Sequence, residues 1–539
     1  MKDLIRLLII GEISLTFKTA LEKMKVKVPI YNIIIYMEQQ KALNRLLKKK
    51  LNSKREPKKI KKPLNIVSNL AYSPYLVAIY REAGIMKTLQ LLGHNVKMYI
   101  CGGGLTNCVG CFNLKMPPNE KACKNCVAFG KEFLDIIDIP YETYVDALHG
   151  KLEYSLPKGV EKQYNMIYKG VRVGFHGYNS AERYFKGDVE AKGFRQVFYD
   201  RLQNACVAVD VAEHCYKKDK PDIFITSHGC YSEWGAFMDY LKNKDVRCIV
   251  WDSLYGDNFI FNEYEFDKMY KAWKKDHGNL TTKEEDEIKN FLELRHSGGT
   301  DTSVYNLEDR TEELKSLFPY HLYEKVYCMF CNVPWDTSLA TSSKVFTDFY
   351  EWLDCTIAYF HLHKNKLLLI KVHPAEISDG SIKTVKDFIN NHYKLPDNIK
   401  IIDANSGIKS IDLLPYVDVG IVNNGTVGLE MAVEGHPVIV VGKTYYAGKE
   451  ITYDAENVGD YIDLLETHLK PTSDKAKSEA LHLAYFRFLV NIHKRTYIKR
   501  SGFIMDDQEI EFNINKFEDF LENKELDRIT KFIVGEREW

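Results

Sequence analysis

Asn423-Asn424-Gly425-Thr426-Val427-Gly428-Leu429-Glu430 follows the apolar run Val419 to Val422 and predicts a strand that turns sharply into a helix over Gly425 to Val433. Glycine lets a ligand approach the backbone, and a helix N-terminus offers free N–H groups and about half a positive charge. A diphosphate or phosphodiester fits such a turn. Thr426 is placed to donate to phosphate, and Glu430 to accept from a ribose diol. The same residues also read as a tight strand-to-helix turn with a capping glutamate.

A second strand-end motif, Lys371-Val372-His373-Pro374-Ala375-Glu376, follows the apolar run Leu367 to Val372. Pro374 stops the strand, which holds His373 at the carboxyl edge where parallel sheets bind ligands. A strand-end histidine alone is more often structural; two motifs on one edge make the stronger case. Around them the chain alternates strand and helix: strands Tyr327 to Cys331, Ile399 to Ile402 and Val438 to Val441, helices Thr347 to His361 and Ile382 to Asn391. An earlier series has strands Leu64 to Asn69, Val96 to Ile100, Asp222 to Thr226 and Arg247 to Trp251, with helices Tyr75 to Leu92 and Val197 to Lys217. Both series have the pattern of doubly wound parallel sheets. The charged, strand-poor stretch Tyr264 to Glu324 separates them.

These motifs carry a resemblance. Asn332-Val333-Pro334-Trp335-Asp336, Lys371 to Glu376, Gly425 to Glu430, Gly435-His436-Pro437-Val438-Ile439 and Tyr445-Tyr446-Ala447-Gly448-Lys449 resemble the capsule polysaccharide biosynthesis family of GT-B glycosyltransferases, over roughly Asn332 to Tyr461. That family includes Kdo transferases that use a CMP-activated sugar. The resemblance implies a nucleotide-sugar set of His373, Pro374, Asn424, Gly425, Thr426, Glu430 and Tyr446. Glu450 stands where relatives often have another glycine.

In the first half, Thr226-Ser227-His228-Gly229-Cys230-Tyr231-Ser232-Glu233-Trp234-Gly235 follows a strand. A sugar transferase needs a base near the acceptor hydroxyl, and His228 and Glu233 are the catalytic candidates. A packed histidine and a helix-start glutamate are the structural alternatives. Arg183 is the candidate contact for an acceptor carboxylate or phosphate. Cys108-x2-Cys111 and Cys123-x2-Cys126 have the spacing of a tetrahedral thiolate site for a structural Zn(II), with Cys101 as a spare ligand for an iron–sulfur cluster; free or redox thiols are the third reading. No Asp-x-Asp pair occurs in the chain, so the helix start at Gly425 is expected to take the place of a catalytic metal, and transfer to be metal-independent.

The wider composition sets limits. The 539 residues are 45% hydrophobic and carry 74 Lys+Arg against 74 Asp+Glu, which excludes disorder as the main state and gives no global argument for nucleic acid as a partner. No apolar run approaches the roughly 20 residues of a membrane span, and the twelve cysteines suit a reducing cytoplasm. Residues 41–62 hold eleven Lys/Arg and one Glu; they read as a solvated linker, or as a patch for peripheral membrane contact at the inner face. The expected organisation is an N-terminal appendage at 1–40, the basic linker at 41–62, and a Rossmann-like acceptor domain at 63–320 with a Cys-rich loop at 101–126. A Rossmann-like nucleotide-sugar domain follows at 321–475, and a helical segment crosses back at 476–539. The fold class is α/β, GT-B-like, with two doubly wound domains facing a cleft. The expected function is transfer of a sugar from a nucleotide donor (CMP-Kdo or another CMP-sugar, or a UDP- or GDP-sugar) to a surface polysaccharide or glycolipid. The alternatives are a nucleotide-sugar epimerase and a non-catalytic, zinc-containing scaffold of glycan assembly.

Overall fold

The computed structural model describes residues 44–51, 55–70, 76–108, 120–253, 258–261, 265–296, 320–336, 344–494, 496–501, 509–537 and 539. The expected appendage at 1–40 lies outside them.

The first sheet runs through β1 (Asn65–Leu70), β2 (Asn95–Ile100), β3 (Tyr141–Thr143), β4 (Ile223–Ser227), β5 (Arg247–Ser253) and β6 (Asn258–Phe261). β3-β2-β1-β4-β5 are parallel neighbours, and β6 adds antiparallel to β5. Helices α1 (Leu76–Leu91), α2 (Glu120–Ile137), α3 (Val173–Tyr184), α4 (Phe194–Asp219) and α5 (Ala236–Lys242) belong to this unit. Both faces are covered, so the central strands are buried along their length, as the uninterrupted apolar runs of parallel sheets require.

Two further helices, α6 (Phe266–His277) and α7 (Thr282–His296), fill the described part of the strand-poor stretch. The second sheet then follows with β7 (Lys325–Phe330), β8 (Lys366–Lys371), β9 (Ile399–Ile402), β10 (Val419–Val422), β11 (Val438–Val440) and β12 (Tyr453–Asp454). Its order is β9-β8-β7-β10-β11-β12, parallel throughout. α8 (Phe349–Leu362) starts where the Asp348 carboxylate accepts from the N–H groups of Tyr350 and Glu351, and α9 (Val427–Glu434) follows β10. The two sheets, each of the doubly wound type with the order reversing after its first strand, bear out the GT-B-like α/β expectation.

After β12 the chain forms α10 (Asp474–Tyr485) and returns to the first sheet. The helical segment expected at 476–539 is broken: α10 ends at Tyr485, and the chain passes through a π-helical turn over Phe486–Val490 and becomes β13 (His493–Lys494), which pairs with β6. Phe486 causes this: it is fully buried against Phe266 (5.4 Å) and Trp273 (5.2 Å), and the wider π turn seats it there. α11 (Lys524–Val534) then lies on α1. One apolar core joins the faces of both sheets to this returning segment.

The basic stretch also departs from its expected form. Residues 44–50 are helical, and Leu47 and Leu51 are buried in the core that includes Phe129 and Phe133 of α2. Leucines spaced by four outweighed the charge of their neighbours, because Lys48, Lys49 and Lys50 stay in water on the opposite side. Residues 55–62 run extended and exposed, tied by Lys58 N–H to Leu91 O at 3.0 Å.

Candidate functional site

In the second sheet the order reverses between β7 and β10, and ligands of open α/β sheets bind at such a switch point. Asn332, two residues beyond β7, donates its amide to Asn424 Oδ1 at 2.7 Å and bridges the two strand ends. Gly425 and Thr426 then lead into α9, whose helical residues start at Val427 rather than Gly425, with Thr426 at the cap. The N–H groups of Gly428 and Leu429 donate to Gly425 O at 3.1 Å and Thr426 O at 3.0 Å, which closes the turn tightly, and the positive end of the helix dipole lies at the switch point.

Tyr446, expected at the nucleotide sugar, is fully buried beneath this turn, where its hydroxyl donates to Gly425 O at 2.6 Å. It is a strut and not a ligand contact. A Cβ at Gly428 would collide with that hydroxyl, so glycine is required there by the close approach of the tyrosine. Glu430 is likewise turned away from its expected partner. Its carboxylate accepts from Arg295 Nε of α7 at 2.8 Å, and both side chains are mostly buried. An arginine supplied by α7, the helix between the two strand series, claims the carboxylate expected to bind a diol.

His373 stands two residues past β8. Lys371 and Val422 both pair with Phe330 of β7, so the His373 and Gly425 turns leave the sheet at the same level with β7 between them. Two strand spacings separate them, about 10 Å. Pro374 caps the short helix Ala375–Ser378, and the Ala375 N–H donates to His373 Nδ1 at 3.1 Å. With Nδ1 accepting, the neutral ring carries its proton on Nε2 and presents a donor. Burial, then the charge of Lys371, pushes the imidazole down to about 4 against the opposing charge of Asp336, so the ring is neutral at pH 7. Lys371 is itself buried, with its amine pushed down to about 8 by burial.

On the first sheet the order reverses between β1 and β4, and His228 follows β4 directly. Its ring lies among those of Tyr231, Trp234 and Trp251 and stays exposed to solvent. His228 (φ 61°) and Tyr231 (φ 69°) both hold left-handed backbone in one turn, which opens the π-helical segment Tyr231–Gly235. Strain of this kind, of order 1–3 kcal/mol per residue, clusters at binding and catalytic sites. Burial, then the charge of Arg183, pushes His228 down to about 4, again against Asp336. It is a neutral proton acceptor at pH 7. Glu233, the other expected base, is buried and ion-paired at 2.5 Å with Arg201 of α4. The π turn rotates it into the domain, so the cleft does not receive it.

Arg183, in the last turn of α3, reaches the cleft: its Nη1 donates to Tyr231 Oη at 2.6 Å and lies 3.7 Å from Asp336 Oδ1 of the second domain. Trp335 is buried beside it and donates to Ser381 Oγ at 2.8 Å. Ile382 N–H donates to Lys186 O at 3.2 Å across the same joint. The structure therefore brings His228, Arg183 and His373 together around Asp336. Asp336 was not among the expected site residues. Asp336 does stand within the run that carried the family resemblance, which was the available signal.

Of the cysteine set, Cys111 lies outside the described residues. Cys101, Cys108 and Cys123 are near enough that the Cys108 charge adds to burial in pushing the other two thiols up. Among the described residues no group of three or more His, Cys, Asp or Glu is arranged to hold a metal ion, and none of the helices is long and apolar enough to cross a membrane.

Residues 351–486 match the model of the family described as capsule polysaccharide biosynthesis protein, which bears out the resemblance over that span. Comparison with curated proteins gave no match. Among solved structures the chain is similar to the beta Kdo 2,4 transferase of Thermosulfurimonas dismutans KpsC, at 15% identity and TM-score 0.36, covering 55% of this chain and 87% of that one. The beta Kdo 2,7 transferase of the same protein matches at 16% identity and TM-score 0.31, covering 56% and 85%. UDP-GlcNAc 2-epimerase from Neisseria meningitidis matches at 8% identity and TM-score 0.23, covering 79% and 96%.

Proposed function

With the capsule polysaccharide biosynthesis signature of residues 351–486 as premise, we propose that this chain is a glycosyltransferase of surface-glycan assembly. It takes its sugar from a nucleotide donor at the carboxyl edge of the second sheet and passes it to a glycan or glycolipid on the first. One observation carries this reading: the switch points of two doubly wound sheets each bear a histidine or a phosphate-type turn, and Asp336 joins them across the cleft.

The donor phosphate rests on the start of α9 and on His373 Nε2–H, which are about 10 Å apart. His228, neutral and open, takes the proton from the acceptor hydroxyl as the oxygen bonds to the anomeric carbon. The bond from that carbon to the phosphate oxygen breaks, and the electron pair leaves with the nucleotide. The developing phosphate charge falls on donors already aligned to receive it, which is where preorganised dipoles contribute most. Arg183 is the acceptor-side contact for an anionic group.

The test is a thermal-shift panel of CMP-, UDP- and GDP-sugars on the full chain, followed by transfer assays with the donor that binds. Stabilisation by one nucleotide class, lost in His373→Ala, supports the reading; no stabilisation by any of the three overturns it.

A further inference from the structure

Asp336 occupies a position that a surface carboxylate does not reach by chance. The residue before it, Trp335, is fixed by its hydrogen bond to Ser381 and by its ring, which lies so close over Gly187 of the first domain that a Cβ there would stand 3.0 Å from Cδ1. This places the Asp336 carboxylate 3.7 Å from the Arg183 guanidinium. Arg183 is held in turn by Tyr231 Oη and by the Tyr231 and Trp335 rings, at 5.1 and 5.9 Å. The Tyr231 ring is 6.4 Å from the His228 ring. An ion pair open to water, with side chains 37% and 44% exposed, contributes little to holding two domains together. Its consequence is electrostatic and local.

The groups facing His228 come from four elements and the opposite domain. Arg81 of α1 and Arg183 of α3 disfavour a proton on the imidazole, and Asp336 favours one. Tyr231 and Trp234 of the π turn and Trp251 of β5 surround the ring without charge at neutral pH. Glu82, next to Arg81, is pushed up to about 8 by burial and is mainly neutral at pH 7, so it supplies little counter-charge. Among the described residues Asp336 is the carboxylate left to balance two arginines, and it belongs to the other domain.

We propose that Asp336 is a positioning residue: by pairing with Arg183 across the domain joint, it offsets the arginine charge on His228 and strengthens that histidine as a base. The inference deepens the transferase reading and rests on it for the role of His228. It requires no bound metal and no further reactant.

The test uses the full chain with labelled histidine, following the His228 ring by NMR between pH 3.5 and 7, alongside kcat/KM against pH. In Asp336→Asn the His228 titration and the acid limb of the rate profile move to lower pH, and in Arg183→Met both move to higher pH, each by about half a unit or more. Asp336→Glu keeps the charge and stays nearer to wild type. Titrations that remain in place in both variants, or that move in the same direction, overturn the inference. Opposite titration shifts without turnover of any nucleotide sugar support the pairing and overturn the transferase reading instead.

Discussion

The hydroxyl of Tyr446 donates to the carbonyl oxygen of Gly425 at 2.6 Å from beneath the turn that opens α9. Glycine gives this turn its access, and the tyrosine removes the freedom that glycine would otherwise leave it. Tyr446→Phe keeps the buried ring and deletes one hydrogen bond, which costs about 1 kcal/mol, plus the penalty of an unmatched carbonyl. Nucleotide binding by isothermal calorimetry is expected to weaken about 5- to 10-fold. Unchanged affinity would remove the strut from the account of the site.

His373 combines two functions on two nitrogens, and one substitution separates them. His373→Asn retains an oxygen near the place of Nδ1, where the Ala375 N–H donates, and loses the Nε2–H donor. A hydrogen bond to a charged phosphate is worth about 1.5–3 kcal/mol, so nucleotide affinity falls about 10- to 100-fold while the Tm of the free protein stays near wild type. Equal losses in His373→Asn and His373→Ala of both affinity and Tm would assign the ring to loop structure alone.

Arg295 and Glu430 form a mostly buried pair between α7 and α9. Removing one partner leaves the other charge uncompensated, which costs about 3–5 kcal/mol for buried pairs. Arg295→Leu is expected to lower stability by about 3 kcal/mol in urea unfolding, with Arg295→Leu/Glu430→Leu recovering part of the loss. A single variant as stable as wild type would show that the pair adds nothing.

Acid should weaken the first domain at Glu142. Burial there opposes the charged form, yet hydrogen bonds from Lys97 and Lys218 prevail and pull its carboxyl down to about 2. The folded value lies below the unfolded one, so the stabilisation is complete above about pH 4.5 and is lost as pH falls through about 2. After solvent screening it amounts to about 1–2 kcal/mol. The difference in urea midpoint between pH 6 and pH 3 is expected to shrink in Glu142→Gln; the same difference in both proteins would place the acid sensitivity elsewhere.

Glu450, two residues after Gly448, holds φ 58°. A side chain in left-handed backbone costs about 1–2 kcal/mol, and glycine's greater freedom in the unfolded chain takes back about 0.5–1. Glu450→Gly therefore raises stability slightly, by about 0.5–1 kcal/mol, readable as a higher urea midpoint. A lower midpoint would mean that the exposed glutamate makes a favourable contact that outweighs its backbone.

Periodicity revealed the strands because both sheets are parallel and covered, so runs such as Leu367 to Ile370 are apolar without interruption. The carboxyl-edge positions of His373, Gly425 and His228 followed from counting residues beyond those runs. The orientation of side chains did not. Glu233 and Glu430 each have an acceptable local reading as cleft residues, and each is claimed by an arginine distant in sequence, Arg201 and Arg295. Tyr446 is indistinguishable by type from a ligand-stacking aromatic; burial beneath Gly425 decides its role. Asp336 acquires its meaning from Arg183, 153 positions earlier in the chain and on the other domain. The bend at Phe486 depends on a socket made by Phe266 and Trp273, which no local pattern announces.

The return of the chain through β13 and α11 bears on the order in which the protein assembles during synthesis. The second sheet spans β7 to β12 and has all its strands once residue 454 has emerged from the ribosome. The first sheet, begun at residue 65, waits for residues 493–494 to extend its β6 edge and for α11 to cover α1. The half translated last is thus the first able to close, and the half translated first is held open as an unfinished edge until the return strand arrives. Until then, chaperone binding should fall on β6 and the bare side of α1.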